Sequence, residues 1–174
     1  MKLKIKPTWM VNSVYDLKPH HIWDKGYRAV IVDLDNTMLA WNEYVYNQTM
    51  AEWIQEMDLA GLKVYLLSNN NVERVAKVAE PLQIPYQANA LKPFPRHFRK
   101  AIEQLGFPKE KILVIGDQLL TDIVGANLTG VDSVLVKPLA QNDIIYTVIN
   151  RRLERVLMKV LKIDRKADWG QELD

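Results

Sequence analysis

The chain has no cysteine among its 174 residues, which excludes disulfide bonds, thiolate catalysis and cysteine-ligated zinc or iron centres. It has only three histidines, so a bound metal ion would have to use these or oxygen ligands. No apolar run approaches the roughly 20 residues that cross a bilayer as a helix. We therefore expect a cytoplasmic protein, either free or peripheral on the inner face of the membrane.

An excess of charge of one sign is also lacking. The formal net charge of +2 and the pI near 8.7 are too small to indicate nucleic-acid binding by themselves. The distribution is less even, because residues 151–166 contain two acids and seven basic residues: Arg151, Arg152, Arg155, Lys159, Lys162, Arg165 and Lys166. Such a run is most often a solvated helix face, and peripheral contact with an anionic membrane is the alternative.

Length and composition indicate a single globular domain. Hydrophobic residues make up 48% of the chain and charged residues 25%, and 174 residues suffice for one sizeable core. No internal repeat or low-complexity segment interrupts it. We expect one domain over residues 1–174, with an N-terminal arm (1–27), a core (28–137) that carries the chemistry, and a basic C-terminal helix and tail (138–174).

Five short apolar runs alternate with helix-like or turn-like segments, which predicts a parallel α/β sheet. The runs are continuous and rich in β-branched residues, as expected when helices cover both faces of a sheet. They span residues 28–33, 62–68, 86–91, 111–117 and 132–136. We therefore predict a three-layer, Rossmann-like fold with a five-stranded parallel sheet between two layers of helices.

Helix-like patterns separate these runs. The clearest has Met50, Trp53, Ile54 and Met57 on one face of a helix that ends near Gly61. Further helices are predicted from residue 70 or 71 to before 81, from about 95 to 105, from 122 to 130, and from 142 or 143 through the basic segment.

The most informative motif is Asp-Leu-Asp-Asn-Thr at residues 33–37, where the apolar run 29–32 meets a turn. Side chains alternate between the faces of a strand, so Asp33 and Asp35 share a side while Leu34 points away. Two carboxylates that close repel each other unless a hard cation neutralises them or one of them holds a proton. Both conditions suit phosphoryl transfer.

The other predicted strands also end in polar groups. Ser-Asn-Asn at residues 68–70 opens a helix N-terminus, where free backbone N–H groups favour a phosphate. Lys92 follows the third strand, and Gly-Asp at 116–117 with Thr-Asp at 121–122 follows the fourth. Taken alone, each of these is commonly a solvated lysine, a strand end or a helix cap. Because ligands collect at the carboxyl ends of parallel strands, their combination predicts one shared site.

Together these residues resemble the haloacid dehalogenase (HAD) superfamily of phosphohydrolases, whose four motifs they match in order over roughly residues 28–137. No catalytic position departs from that pattern. The details resemble the YqeG subfamily in five places: Ser-Val-Tyr-Asp at 13–16, Trp41, Ser-Asn-Asn-Asn at 68–71, Lys-Pro at 92–93 and Gly-Asp-Gln-Leu-Leu-Thr-Asp at 116–122. The basic C-terminal segment is similar as well.

The resemblance implies an Mg²⁺-dependent phosphomonoester hydrolase that forms an aspartyl-phosphate intermediate. Asp33 would be the nucleophile and Asp35 the general acid and base. The metal ligands would be Asp33, the backbone carbonyl of Asp35, Asp117 and, directly or through water, Asp122. The phosphoryl group would be held by Asn36, Thr37, Ser68, Asn69 and Lys92, of which Ser68 and Lys92 also count as catalytic.

The spacing of the motifs leaves no room for a cap domain, because one helix and one strand fill each interval. Relatives with lids close over small metabolites, so an open site suits a large or membrane-borne phosphate. Phosphatidylglycerophosphate is a known substrate in the family. The resemblance therefore makes it, or another phospholipid head group, an expected substrate here.

Two other functions remain open. A receiver-type signalling domain also places aspartates, a hydroxyl and a lysine on a parallel sheet, although its phosphorylated aspartate lies on a middle strand rather than the first. A non-catalytic scaffold of the same fold could bind RNA or a ribosomal particle through the basic helix. Single residues have structural alternatives too: Asp122 could cap its own helix, Trp41 could be a packing residue, and His97 could be solvated.

Overall fold

A six-stranded sheet runs through the computed structural model, which describes residues 4–140 and 148–174. Its strands are β1 (Trp9–Val11), β2 (Ala29–Val32), β3 (Lys63–Leu67), β4 (Tyr86–Gln87), β5 (Ile112–Gly116) and β6 (Asp132–Val136). Their order across the sheet is β1-β6-β5-β2-β3-β4, and every pairing is parallel. The predicted parallel α/β architecture is confirmed.

The expected number of five strands was wrong by one, because the N-terminal arm contributes β1. This strand pairs with the edge of β6, from Trp9 opposite Val134 to Val11 opposite Val136. Three residues are too few to show a strand periodicity in the sequence. The open edge of β6, which is tertiary context, decides the conformation of this segment.

In the described parts of the chain, six α-helices connect or cover the strands: α1 (Pro19–Asp24), α2 (Gln48–Leu59), α3 (Val72–Ala79), α4 (Pro95–Leu105), α5 (Val124–Thr129) and α6 (Val148–Val160). The predicted start of the last helix at 142 or 143 lies outside the described residues. A π-helical turn, Leu119–Ile123, leads into α5. Asp122 lies inside this turn and Ile123 occupies the N-cap position of α5, so Asp122 does not cap that helix.

Helices α2 and α3 cover one face of the sheet, while α4 and α5 pack on the other. Successive residues of β2 alternate between the two cores, with Val30 and Val32 on the α2 side and Ala29 and Ile31 on the α4 side. The predicted apolar face of α2 is buried along its whole length in the first core. All four residues of β2 are buried, which explains the continuous apolar sequence of this central strand.

No lid domain is inserted between the strands that carry the motifs. The chain between β2 and β3 forms a loop and α2, and the chain between β3 and β4 forms α3. Among the helices that the structure describes, none combines the length and the hydropathy needed to cross a membrane.

The register of the central strands brings their carboxyl ends together. Val32, the last residue of β2, lies opposite Leu66 of β3 on one side and Ile115 of β5 on the other. Asp33 therefore leaves the sheet next to the residues that follow β3 and β5. This edge of the sheet holds the candidate active site.

Candidate active site

Three buried aspartates meet at this edge of the sheet. Asp33 follows β2, Asp117 follows β5, and Asp122 lies in the π-helical turn. One carboxylate oxygen from each lies within 4.8 Å of the corresponding oxygens of the other two. Such an oxygen-only cluster suits a hard divalent cation, because carboxylates are the ligands that Mg²⁺ and Ca²⁺ prefer.

Lys92 is the cation of the cluster. Its Nζ atom lies 2.9 Å from Oδ1 of Asp33 and 2.7 Å from Oδ1 of Asp122, and it donates to the carbonyl oxygen of Leu67 at 2.9 Å. The three donor positions of the ammonium group are thus used, and only 3% of the side chain is exposed. The ammonium therefore bridges two strand ends and partly neutralises the acids around it.

Burial and neighbouring charges shift the pKa values of Asp33, Asp117 and Lys92. Burial raises the pKa of Asp33 to about 7; the charge of Asp122 adds to this and Lys92 acts against it. Burial, and then the charges of Asp33 and Asp122, raise the pKa of Asp117 well above its usual range. Burial alone would lower the pKa of Lys92, but Asp122 and Asp33 outweigh it and raise the pKa. Without a further cation, Asp33 and Asp117 therefore hold their protons to a higher pH than ordinary aspartates do.

A glycine allows Asp122 to approach the end of β5. A Cβ atom built on Gly116 would lie 2.2 Å from Cγ of Asp122, a distance that no side chain tolerates. The backbone N–H of Gln118 donates to Oδ2 of Asp122 at 3.2 Å and fixes the other carboxylate oxygen. The Gly-Asp sequence at 116–117 thus positions two carboxylates, one directly and one through the space the glycine leaves.

The loop after β2 completes the acid cluster. Asn36 adopts a positive φ of 60°, which lets the chain turn sharply after Asp35. Thr37 donates from Oγ1 to Oδ1 of Asp117 at 3.1 Å. From the N-terminal arm, the Tyr15 hydroxyl donates to the carbonyl oxygen of Met38. The arm therefore packs directly on the loop that holds the predicted nucleophile.

The Ser-Asn-Asn segment after β3 has a different role at each position. Ser68 is buried, and its Oγ atom accepts a hydrogen bond from the backbone N–H of Asn70 at 3.1 Å. The side chain of Asn69 makes two hydrogen bonds to the backbone of Lys92: it accepts from the lysine N–H at 2.7 Å and donates to its carbonyl oxygen at 3.3 Å. Asn69 therefore holds the lysine segment in place.

Asp35 lies beside the cluster, and its carboxylate binds two side chains that do not belong to the cluster. Its Oδ1 atom pairs with the guanidinium of Arg74, at 2.7 Å from Nη2 and 2.9 Å from Nε, and its Oδ2 atom accepts from Asn70 at 2.9 Å. Arg74 is absent from the sequence-based site. The one sequence signal was its place in the first turn of a helix. A cation interacts unfavourably with the helix dipole at that end, so its presence there suggests a specific negatively charged partner.

The sequence-based site also omits two residues near the C-terminus. Glu154 of α6 is buried, and its carboxylate accepts the backbone N–H groups of Leu119 at 2.6 Å and Leu120 at 3.1 Å. Arg165 lies 3.6 Å from Glu154 and donates to the carbonyl oxygen of Asp117 at 3.4 Å. The sequence signal for Glu154 was the presence of an acidic residue inside a strongly basic segment.

Two connected cavities open over this site. The first, of about 330 Å³, is lined by Asp33, Asp35, Ser68, Asn69, Lys92 and Thr121, among others. The second is a groove of about 860 Å³ that shares Lys92 and Thr121 with the first and extends along α6. Arg151, Arg155 and Lys159 line its far side. The cavity that contains several of the predicted site residues thus adjoins a groove that carries basic side chains.

Comparison with known proteins places this geometry in a family. Residues 90–138 match a family model described as HAD-hydrolase-like. The probable phosphatase YqeG of Bacillus subtilis (strain 168) is 37% identical over 165 residues, which cover 95% of this chain and 96% of that protein.

Solved structures show the same fold at low sequence identity. An uncharacterised protein from Listeria monocytogenes serotype 4b has a TM-score of 0.53 at 18% identity, covering 78% of this chain and 99% of that chain. The cobalt-bound deoxy-D-mannose-octulosonate 8-phosphate phosphatase of Haemophilus influenzae has a TM-score of 0.51 at 15% identity, covering 82% and 92%. The chain therefore belongs to the HAD-like hydrolases, as a phosphatase of the family that includes B. subtilis YqeG.

Proposed function

We propose that this phosphatase hydrolyses phosphomonoesters with Mg²⁺, through an aspartyl-phosphate on Asp33. The observation that carries the proposal is the Lys92 ammonium group, which bridges Asp33 and Asp122 inside a cluster of three buried carboxylates. Gathering like charges in a buried place is costly for folding. A bound divalent cation would offset that cost in the working enzyme.

The proposed reaction has two steps. In the first, a carboxylate oxygen of Asp33 bonds to phosphorus while the bond from phosphorus to the ester oxygen breaks, and the carboxyl proton of Asp35 passes to that leaving oxygen. In the second, Asp35 takes a proton from water as the water oxygen bonds to phosphorus. The bond to Asp33 then breaks and inorganic phosphate leaves, so that each residue returns to its starting state.

The donor set fits a hard cation. Its members offer only oxygen and lie within 4.8 Å of one another, and the pKa values of Asp33 and Asp117 are raised by burial and by neighbouring carboxylates. We assign Mg²⁺ binding to Asp33, Asp117, the backbone carbonyl of Asp35 and, directly or through water, Asp122. When bound, the ion would neutralise the phosphoryl oxygens and favour the ionised form of Asp33.

The remaining predicted residues would hold the phosphoryl group. Ser68 lines the smaller cavity with its hydroxyl, and Lys92 supplies a positive charge beside the nucleophile. Asn36 and Thr37 would act through the loop that follows Asp33. Asn69 would act indirectly, since its side chain is engaged with the backbone of Lys92.

We further propose that the substrate is large or membrane-borne, with phosphatidylglycerophosphate as the leading candidate. No lid domain is inserted in the described residues between β2 and β5, and the groove beside the site carries Arg151, Arg155 and Lys159 together with the apolar side chains of Leu120 and Met158. An anionic head group attached to an acyl chain matches this mixture. Residues 1–174 would act as one domain, with α6 as a peripheral contact to an anionic membrane.

The first test is phosphate release with Mg²⁺ from phosphatidylglycerophosphate in mixed micelles and from soluble sugar phosphates. Asp33→Asn and Asp35→Asn should each abolish nearly all activity without unfolding. The matched control is Asp58→Asn, because Asp58 is an exposed aspartate on α2, away from the carboxyl ends of the strands. Acid quenching should trap an alkali-labile phosphoenzyme in the wild type and not in Asp33→Asn.

Two results would contradict this proposal. Full activity of Asp33→Asn would remove the assigned nucleophile. Equal turnover of soluble and micellar esters would remove the membrane-borne substrate and leave the phosphatase mechanism in place. A replacement of Arg151, Arg155 and Lys159 by glutamine should lower the rate only on the micellar ester, whereas a replacement of exposed Lys18 and Lys25 should not.

A further inference from the structure

The carboxylate of Asp35 is held at three points by two side chains. Arg74 donates from Nε at 2.9 Å, and its Nη2 atom lies 2.7 Å away; both engage Oδ1. Asn70 donates from Nδ2 to Oδ2 at 2.9 Å. The two partners of the ion pair have only about 10% of their side-chain surfaces exposed, so water competes weakly for these bonds.

Arg74 is itself anchored at both ends. Its backbone N–H donates to the side chain of Asn71, which caps the N-terminus of α3. Its Nη1 atom donates to the carbonyl oxygen of Glu43 at 2.5 Å, and its Nη2 atom donates to that of Ala40 at 3.4 Å. The guanidinium therefore ties the loop before α2 to the carboxylate of Asp35. A side chain fixed in this way has little freedom to turn toward solvent.

The next cation on α3 shows how different an ordinary surface pair is. Lys77 lies 3.4 Å from Glu73, and the side chains are 61% and 81% exposed. An exposed pair of this kind contributes little to stability. Arg74 is therefore unlike an ordinary charged residue on a helix surface, and Lys77 provides a matched control on the same helix.

We propose that Arg74 is a positioning residue for Asp35, and that it makes Oδ2 the oxygen that exchanges a proton with the substrate. Two donors occupy Oδ1, whereas Oδ2 receives a single hydrogen bond from Asn70, and both Asp35 and Asn70 line the smaller cavity. The inference rests on the proposed function, in which Asp35 protonates the leaving oxygen. Arg74 touches neither the phosphoryl group nor its cation in this scheme.

This role predicts that the effect of Arg74 depends on the leaving group. An alkyl alcohol leaves readily only when its oxygen is protonated, whereas nitrophenolate leaves as a stable anion and needs little help. General acid catalysis contributes about 10²–10⁴-fold where it is needed. Loss of Arg74 should therefore slow the cleavage of alkyl phosphates much more than that of p-nitrophenyl phosphate.

The experiment compares kcat/KM for glycerol 3-phosphate and p-nitrophenyl phosphate, with Mg²⁺, in five proteins: wild type, Asp35→Asn, Arg74→Met, Arg74→Lys and the control Lys77→Met. We expect Arg74→Met to lose about 10²-fold on the alkyl ester and less than about tenfold on the aryl ester, as Asp35→Asn does in direction. Arg74→Lys keeps the charge without the forked geometry and should fall between. Lys77→Met should match the wild type.

The outcomes separate this inference from the proposed function. If the wild type releases phosphate from neither ester nor from phosphatidylglycerophosphate in mixed micelles, the proposed function fails and the role of Arg74 fails with it. If Asp35→Asn shows the selective loss while both Arg74 variants lose equally on both esters, or lose nothing, only the role of Arg74 is overturned. If Arg74→Met unfolds in a thermal melt, the Arg74→Lys ratio of the two esters decides.

Discussion

Gly116 and Asp122 are packed so closely that a single added methyl group at residue 116 would lie 2.2 Å from the carboxylate carbon of the aspartate. Because Lys92 also holds that carboxylate, the methyl group in Gly116→Ala must displace a fixed charge and not a free side chain. We expect a loss of about 1–3 kcal/mol in the free energy of unfolding and a large loss of Mg²⁺-dependent activity. Urea unfolding and phosphate release measure the two effects.

Gly125 provides the control for this substitution. A Cβ atom at Gly125 would also meet a neighbour at 2.2 Å, but that neighbour is the ring of Phe98, in the core between α4 and the sheet. Gly125→Ala should therefore cost similar stability with a smaller loss of Mg²⁺-dependent activity. Equal losses of activity in both variants would indicate that overpacking alone, and not the position of Asp122, lowers the activity.

Removing the buried cation should destabilise the metal-free protein and increase the stabilisation that Mg²⁺ provides. Lys92→Met leaves Asp33 and Asp122 without their shared partner, and a broken buried ion pair costs about 3–5 kcal/mol. We expect the metal-free variant to be destabilised by that order and to recover more stability than the wild type when Mg²⁺ is added. Activity should fall by about 10²–10³-fold. Thermal melts with and without Mg²⁺, and phosphate release, test these expectations.

The raised pKa values of the acid cluster predict how stability depends on pH. Asp33 titrates near 7 in the folded chain and near 3.8 when unfolded, so between these values the folded state binds more protons than the unfolded state. Stability of the metal-free protein should therefore fall as pH rises from about 4 through about 7. Asp117, whose pKa is also raised, acts in the same direction.

Urea unfolding in EDTA across that pH range measures the slope. Mg²⁺ should flatten it by stabilising the ionised acids, and Asp117→Asn should reduce it without metal. A metal-free protein whose stability rises from pH 4 to 7 would show that the carboxylates of the cluster are not destabilised by one another in the folded chain.

How much of this site the sequence reveals depends on the distance along the chain over which each interaction acts. Asp33, Ser68 and Asp117 are visible because each directly follows an apolar strand, and parallel strands bring such ends to one edge. The buried face of α2 is visible because it repeats at helical spacing. These are local patterns combined with a general rule of topology.

The residues that support the site follow no local pattern. Arg74 is 39 positions from Asp35, and Glu154 is 35 positions from Leu119, so nothing near either residue in the sequence records its partner. The edge strand β1 is equally hidden, since its pairing with β6 depends on how the core folds. The sequence thus indicates which residues carry charge to the site, while the fold determines which residues hold them there.

Glu154 links the C-terminal helix to the candidate active site, because its carboxylate accepts both backbone N–H groups at the start of the turn that carries Asp122. Glu154→Ala leaves one buried and one partly buried backbone donor without this partner, at a cost of about 1–3 kcal/mol. Since the turn would then be free to shift, we also expect a 10- to 100-fold loss of metal affinity, as for other residues that orient metal ligands.

Mn²⁺ titration followed by electron paramagnetic resonance measures this affinity without turnover, and thermal melts measure stability. Glu103→Ala is the control, because Glu103 is an exposed glutamate on α4. Glu154→Gln retains one acceptor oxygen and should lose less affinity than Glu154→Ala. If Glu154→Ala melts at a lower temperature yet binds Mn²⁺ as tightly as the wild type, then α6 stabilises the fold without positioning Asp122. In that case α6 does not contribute to metal binding.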